Sequence, residues 1–299
     1  MSGLEDVRAF VKTAETGSFV AAAGELNVTP SALSKLVSRL EDRLGVRLMH
    51  RTTRRLALTT EGELYLARAA QILADIEDLD AEVAKSRGAP RGRLRVNTSN
   101  GFGVHQLAPA LPDFLRRYPE VQVELGITDH IVSLIDDGYD VAIRVGPVSD
   151  VGLAAVKIAE IERTICAAPS YLAKHGVPAT PQDLHRHACV GLAPQAPHRW
   201  PFHGAQGLEI VILTPSVTTD NAECALKLAV AGAGIIRLGD VVVGEALRTG
   251  TLVPLLTEAH HAEPLPLSAI SLAGRRGIPK VRVFIEFLLE RFSSQPWRQ

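Results

Sequence analysis

The chain has 299 residues, enough for about two domains. Hydrophobic residues make up 46% and charged residues 22% of it, which excludes the disordered and fibrous classes. The 32 basic and 33 acidic side chains give a formal net charge of −1, which excludes a uniformly basic, histone-like protein but leaves room for a local basic patch.

Several features of the sequence bear on the cellular compartment. The N-terminus lacks the basic start, apolar stretch and small-residue cleavage site of a secretory signal. The longest apolar runs fall short of the ~18 residues that a membrane helix needs. The three cysteines, Cys166, Cys189 and Cys224, are too scattered for a disulfide scaffold. We therefore expect a cytoplasmic chain with reduced thiols and no membrane contact.

The first 60 residues predict three short helices followed by a β-hairpin. Thr29 is a suitable N-cap for the third helix, and Pro30 fits its first position, where a missing N–H costs nothing. Gly45 ends this helix after Leu44. Two short strands are expected at residues 46–49 and 56–58, on either side of a basic turn. The pattern is a helix-turn-helix followed by a wing.

Positive charge is concentrated in this region. Residues 28–58 contain seven basic and two acidic side chains, which is the charge pattern of a surface that contacts phosphates. The candidate DNA-binding residues lie on the polar face of the third helix and in the wing: Thr29, Pro30, Ser31, Ser34, Lys35, Ser38, Arg39, Arg51, Arg54 and Arg55. The alternative is a solvated helix face beside an ordinary charged hairpin. The capped helix, its polar face or the basic wing alone would favour this alternative, whereas their combination favours DNA binding.

A long helix is predicted next, over residues 60–87. Thr60 and Glu63 predict a capping box at its start. A heptad-like apolar seam follows, formed by Tyr65, Ala69, Ile72, Ile76, Leu79 and Val83. Such a helix is ~42 Å long and too isolated to bury this seam against a small winged domain, so we expect it to pair with a second copy of the chain. The alternative is packing against the chain's own C-terminal domain.

From Arg91 onward, short apolar strands alternate with helical stretches, which predicts an α/β domain. Strands are expected to begin at residues 94–96 and to cover 121–127 and 141–143. A helix is expected over residues 102–118. Residues 144–147 then lie at the carboxyl end of a buried strand.

The stretch FVKTAETGSFVAAAGELNVTPSALSKLVSRLEDRLGVRLMHRTTRRLALTTEG, residues 10–62, closely resembles the DNA-binding region of LysR-type transcriptional regulators. A looser resemblance continues to about Arg291 through GYDVAIRVG (138–146), AAPSYL (167–172) and residues 220–222. The resemblance implies an α+β winged helix-turn-helix domain (1–59), a dimerising linker helix (60–90) and an α/β effector domain similar to periplasmic binding proteins (91–299). The effector domain is expected to have subdomain I at about 91–162 and 265–299, and subdomain II at about 163–264.

The resemblance places a ligand in the cleft between these subdomains. Ligands of open α/β sheets bind beyond the carboxyl ends of strands and at helix N-termini, which favour anions, so we expect a small carboxylate effector. The candidate effector-binding residues are Thr98, Ser99, Asn100, Gly146, Pro147, Asp220 and Asn221. The alternative is that these polar side chains only cap helices. Arg237 stands where the family usually has an apolar residue, and it either faces the cleft or is solvated.

No motif for catalysis or metal binding is apparent. The spacing of His185, His187 and Cys189 fits neither a zinc finger nor a metalloprotease helix. We therefore expect no metal, no cofactor and no enzymatic activity. The sequence predicts a homo-oligomer that binds double-stranded promoter DNA and responds to a small molecule. The resemblance implies a tetramer and adds RNA polymerase as a partner. The alternatives are a ligand-blind DNA-binding regulator, or an enzyme or solute-binding protein on the same C-terminal scaffold.

Overall fold

The computed structural model describes residues 2–51, 56–83, 90–130, 132–148, 152–192, 197–205 and 207–298. The chain divides into two compact units, residues 1–86 and 87–299. The elements of the first unit are α1 (Ser2–Thr16), α2 (Phe19–Glu25), α3 (Pro30–Leu44), β1 (Met49–Arg51), β2 (Leu56–Leu58) and α4 (Thr60–Val83). The long helix α4 therefore belongs to the same compact unit as the winged domain.

The signals that delimit α3 act as the sequence predicts. The Thr29 hydroxyl accepts a hydrogen bond from the backbone N–H of Ala32 at 3.2 Å, and Pro30 is the first helical residue. Gly45 follows the helix at φ 72°, a left-handed conformation that favours glycine. Because Leu33 and Leu40 are fully buried, the opposite, polar face of α3 points away from the core.

Two local predictions in this unit were wrong. The first wing strand begins at Met49 and not at residue 46, because the backbone N–H groups of Leu48 and Met49 donate to the Glu41 carboxylate, at 2.9 and 3.2 Å. The cap of α4 is Thr59 and not Thr60, since the Thr59 hydroxyl accepts a hydrogen bond from the N–H of Gly62 at 3.0 Å.

Replacing Glu41 with alanine is expected to destabilise the N-terminal unit by about 2–4 kcal/mol, because two buried N–H groups lose their acceptor. The ion pair with Arg47, at 2.7 Å, is lost as well. Calorimetric unfolding of the full chain measures this as a lower transition temperature for the N-terminal unit. Asp42→Ala is the matched control, because the adjacent side chain is exposed. Equal transitions for the two variants would contradict the structural role of Glu41.

The second unit contains two principal sheets. Its helices are α5 (Asn100–Phe102), α6 (Ala108–Arg117), α7 (Pro169–His175), α8 (Ala222–Val230), α9 (Asp240–Arg248) and α10 (Pro279–Phe292). Its strands are β3 (Gly92–Thr98), β4 (Val121–Ile127), β5 (Val141–Val145), β6 (Leu153–Ile161), β7 (Arg163–Ala167), β8 (Val190–Leu192), β9 (His198–Gly204), β10 (Gly207–Leu213), β11 (Val217–Thr219), β12 (Ile236–Gly239), β13 (Val253–Pro254) and β14 (Leu265–Leu272).

The order of the strands shows how the chain connects the two sheets. The first has the order β4-β3-β5-β14-β6, with β3 parallel to β4 and β5, and β14 antiparallel to β5 and β6. The second has the order β12-β7-β13. The chain passes from the first sheet to the second between Ile161 and Arg163, and it returns at Leu265. The residues beside these two crossings lie next to the cavity described below.

The helix expected over residues 102–118 begins earlier and is not uniform. It starts at Asn100 and contains a π-helical turn, Gly103–Leu107, between α5 and α6. Gly103 allows this turn to approach β3 closely, since a Cβ atom there would lie 2.6 Å from the Thr98 Cγ2 atom. Within the described ranges, no helix is long and apolar enough to cross a membrane.

Candidate functional site

The polar face of α3 is the first candidate site. Thr29, Pro30, Ser31 and Lys35 are exposed around the start of the helix. Ser34 and Ser38 lie further along it and are half-buried. The Thr29 hydroxyl is engaged, because it caps the helix and lies 3.2 Å from the Ser31 hydroxyl. Lys35 is an exposed cation close to the start of the helix.

Arg39 has a structural contact that sequence reasoning missed. Its Nε donates to both carboxylate oxygens of Asp6 at 2.9 Å, and Asp6 is buried. The hydrogen bond that Arg39 donates to Asp6 raises the pKa of the Arg39 guanidinium. Arg39 thus links α3 to α1, while half of its side chain is exposed. A contact between Arg39 and DNA stays a prediction.

The wing is described only in part. Arg51 ends β1, and β1 pairs antiparallel with β2. Arg54 and Arg55 lie outside the described residues. The contribution of these three arginines to DNA binding stays a prediction.

The predicted seam of α4 is corrected at two of its residues. Tyr65 packs edge-on against Phe10 with ring centroids 5.6 Å apart, and Ala69 is 3% exposed in the core of the same unit. Both side chains therefore face their own winged domain and not a second chain. Ile72 is 54% exposed and Ile76 is half-buried. The side chains of Leu79 and Val83 lie outside the described set.

The second candidate site is a cavity of about 280 Å³ in the C-terminal unit. Residues from both sheets line it, together with the start of α5 and the first turn of α9. Its lining residues are Ser99, Gly101, Phe102, Asp129, Arg144, Val145, Ile161, Arg163, Leu192, Ala222, Arg237, Leu238, Gly239, Val241, Val242 and Leu265. Of the seven predicted effector-binding residues, Ser99 is the one that lines this cavity.

The three predicted residues at the start of α5, Thr98, Ser99 and Asn100, have different contacts. Thr98 is fully buried, its hydroxyl donates to the Ser99 carbonyl at 3.4 Å, and it does not line the cavity. The backbone N–H of Asn100 donates to the Asp129 carboxylate at 2.9 Å. The backbone N–H donor of Asn100 at the start of α5 is therefore already bonded to Asp129.

The other four predicted residues do not line the cavity in the described structure. Asn221 is the N-cap of α8, where its Oδ1 accepts a hydrogen bond from the N–H of Cys224 at 2.9 Å. Asp220 is exposed, and Ala222 is the residue of this segment that lines the cavity. At the end of β5, Arg144 and Val145 line the cavity in place of Gly146 and Pro147. The helix-cap alternative thus holds for Asn221.

Arginines are the main feature that sequence reasoning missed. The Arg144 side chain is half-buried, and its guanidinium donates to Asn97 Oδ1 and to the His130 carbonyl, the latter at 3.2 Å. Burial lowers the pKa of Arg144. The available signal was its position near the carboxyl end of a buried strand, two residues before the predicted Gly146.

The structure decides between the two alternatives for Arg237. Its side chain is 2% exposed and lines the cavity, so it is not solvated. Its Nε donates to His260 Nε2 at 2.8 Å. Burial lowers the pKa of His260 to about 4, and the charge of Arg237 acts in the same direction. At neutral pH the imidazole is therefore uncharged and able to accept this hydrogen bond.

The cysteines and histidines form no metal site in the part of the chain that the structure describes. Cys166 and Cys189 are buried, and burial raises the pKa of each thiol to about 12. Thiols with such a pKa are protonated at neutral pH and are poor nucleophiles. Cys224 is exposed.

Two family models match the chain, one in each compact unit. The model of the bacterial regulatory helix-turn-helix protein, lysR family, matches residues 4–63. The model of the LysR substrate binding domain matches residues 87–293. The two models together cover α1 to α3, the wing and nearly all of the second unit.

Individual relatives match over nearly the whole chain. The HTH-type transcriptional regulator CrgA of Neisseria meningitidis serogroup C is 35% identical over 291 residues, which cover 97% of each chain. The structure of CrgA, a LysR-type transcriptional regulator from Neisseria meningitidis, matches with a TM-score of 0.65 at 35% identity, and the match covers 96% of this chain and 97% of that one. The full-length structure of the Vibrio cholerae virulence activator AphB has a TM-score of 0.61 at 27% identity, with coverages of 96% and 98%.

Proposed function

The chain belongs to the LysR-type family of transcriptional regulators, and we propose that its arginine-lined cavity binds a small organic anion as the effector. It has the DNA-binding helix-turn-helix and the effector-binding domain of that family. We also propose that the polar face of α3 contacts double-stranded promoter DNA. The relatives are named as transcriptional regulators, which disfavours the alternative of an enzyme or a solute-binding protein.

The charge of the cavity is the observation that carries the effector proposal. Arg144, Arg163 and Arg237 line it, and Asp129 is its one acidic lining residue in the described structure. Charged groups in a partly dry cavity are costly unless a counter-ion is present. A bound carboxylate supplies that counter-ion, and apolar side chains such as Phe102 and Leu238 accommodate its organic part.

A panel of small carboxylic acids, each paired with its uncharged amide, tests this proposal. A specific ligand raises the melting temperature of the full-length protein, because it binds the native state alone. We expect acids and not amides to stabilise the protein, and we expect the best acid to alter a DNA footprint. Equal responses to acids and amides would contradict the anion cavity. A footprint that no acid changes would favour the ligand-blind regulator.

Replacing Lys35 with alanine tests the DNA-binding face. The side chain is exposed, so the variant should fold normally. If Lys35 contacts a phosphate, affinity falls for specific and scrambled DNA alike, and the slope of log affinity against log salt decreases by about one unit. Gel-shift titrations at several salt concentrations measure both quantities. Lys174→Ala is the matched control, because Lys174 is an exposed residue of α7 in the other unit. A salt slope equal to that of the control would contradict this assignment.

We further propose that the chain acts as a homodimer paired through α4, and as a tetramer when its effector domains also pair. The exposed apolar side chains of α4 support the first step, since Leu64 is 71% and Ile72 54% exposed. Contact with RNA polymerase remains a proposal that rests on the family alone.

A further inference from the structure

We infer that Glu263 determines which effector charge the cavity selects, so that the cavity prefers a monoanion to a dianion. This inference rests on the proposed function of the cavity as the effector site. It concerns a cluster at the two crossings between the sheets, formed by Arg163, Arg237, His260 and Glu263, which we call the crossing cluster.

The crossing cluster places a carboxylate behind two of the cavity arginines. Glu263 accepts a hydrogen bond from Arg237 Nη2, and the Arg163 Nη1 atom lies 3.3 Å from the same carboxylate oxygen. Both arginines line the cavity, whereas Glu263 does not. Glu263 therefore offsets positive charge at the cavity wall without occupying space where a ligand binds.

The geometry of the cluster is fixed from several sides. Glu263 has a backbone φ of 51°, which is strained for a residue with a side chain. The adjacent Ala262 carbonyl accepts a hydrogen bond from the N–H of Arg163 at 3.1 Å and so joins the two crossings. Arg237 is held by His260 as well as by Glu263. Such constraints keep the Glu263 carboxylate against both guanidinium groups.

Glu263 is ionised in this setting. Its burial alone would raise the pKa of the carboxyl group, but the hydrogen bond from Arg237 and the charges of Arg237 and Arg163 outweigh burial, and the pKa lies below its usual value. His260 contributes no charge at neutral pH because its pKa is about 4. At neutral pH Glu263 thus adds one negative charge beside the arginines.

The charges of the cavity can now be counted. Three arginines and Asp129 line it, and Glu263 adds one further negative charge from behind. One positive charge remains in excess. A single carboxylate neutralises that excess, whereas a second carboxylate in the same partly dry cavity is left without a counter-ion and is disfavoured.

Isothermal titration of the full-length protein with two matched pairs of acids tests the inference. Benzoate is compared with terephthalate, and hexanoate with adipate. We expect the wild type to bind each monoanion at least about tenfold more tightly than its dianion partner. Glu263→Gln keeps the size of the side chain and an acceptor for Arg237, and it should reduce or reverse this preference by about tenfold.

Two further variants separate charge from structure. Glu263→Asp retains the charge and should retain the preference for monoanions. Glu258→Gln removes an exposed carboxylate of the same connecting segment that does not line the cavity, and it should behave as wild type. Unliganded melting temperatures show whether each variant is folded.

The outcomes distinguish the inference from the proposed function. Unchanged preference in Glu263→Gln, or a wild type that prefers dianions, overturns the role of Glu263 and leaves the anion cavity intact. If none of the four acids binds the wild type or Glu263→Gln at about 10 mM, the anion cavity itself is refuted.

Discussion

Replacing Arg144 with glutamine is expected to weaken the binding of benzoate to the effector cavity by about tenfold to a hundredfold. The guanidinium of Arg144 lines the cavity and is positioned by Asn97 and by the His130 carbonyl. A hydrogen bond to a charged partner contributes about 1.5–3 kcal/mol, and glutamine keeps a donor but loses the charge. Isothermal titration of the full-length variant measures the loss.

A matched control separates this effect from damage to the sheet. Arg95 lies on β3 of the same sheet and is held by Glu124 at 3.2 Å, but it does not line the cavity. Arg95→Gln should therefore lower the melting temperature as Arg144→Gln does, and leave benzoate affinity unchanged. Equal affinities for these two variants would show that Arg144 does not contact the effector.

The winged domain could be predicted closely from the sequence because its signals are local. Thr29, Pro30 and Gly45 act through the backbone of their own helix, and each performs the predicted role. The two errors, at the first wing strand and at the cap of α4, each displaced a predicted boundary along the chain. The first arose from Glu41, whose buried carboxylate bonds to backbone seven and eight residues away. Spacing patterns carry no information about such a contact.

The seam of α4 shows where periodicity is ambiguous. A 4-3-4 spacing describes a dimer seam and equally a helix face that packs on its own domain. Tyr65 and Ala69 follow this spacing, yet both belong to the intramolecular core. The number of helical turns of α4 that the winged domain covers determines which apolar residues pack on that domain and which remain available to a second chain. That number depends on the packing of α1 against α4, which sequence alone does not provide.

The cavity was the hardest part to predict, because its charged residues are far apart in sequence. Arg144 is the penultimate residue of β5, Arg163 begins β7 and Arg237 lies on β12. They meet because the chain crosses between two sheets twice. Sequence reasoning selected Asn221 for its capping chemistry, which is correct, but the cap lies outside the cavity. The capping pattern of Asn221 is local and identified the start of α8. The topology of the strands, in contrast, determines which residues line the cavity.

Replacing Ile72 with aspartate is expected to dissociate the proposed dimer and raise its dissociation constant by about a hundredfold or more. Ile72 is 54% exposed on α4, so the charge does not disturb the core of the winged domain. In a dimer seam the same charge is buried without a partner and costs several kcal/mol. Sedimentation at micromolar concentration should then show a smaller species, and operator binding should weaken because two linked DNA-binding domains bind more tightly than one.

Two comparison variants show whether this effect belongs to the outer face of α4. Ala69→Asp places the charge in the intramolecular core, so it should unfold the N-terminal unit and not merely dissociate it. Val177→Asp alters an apolar side chain of the other unit that is 65% exposed, and it should leave both sedimentation and operator binding unchanged. A wild type that sediments as a monomer would contradict the dimer itself. An Ile72→Asp variant that sediments like Val177→Asp would place the oligomer contact elsewhere. The exposure of Ile72 would then be a property of the winged domain alone, and α4 would serve only to connect the two units.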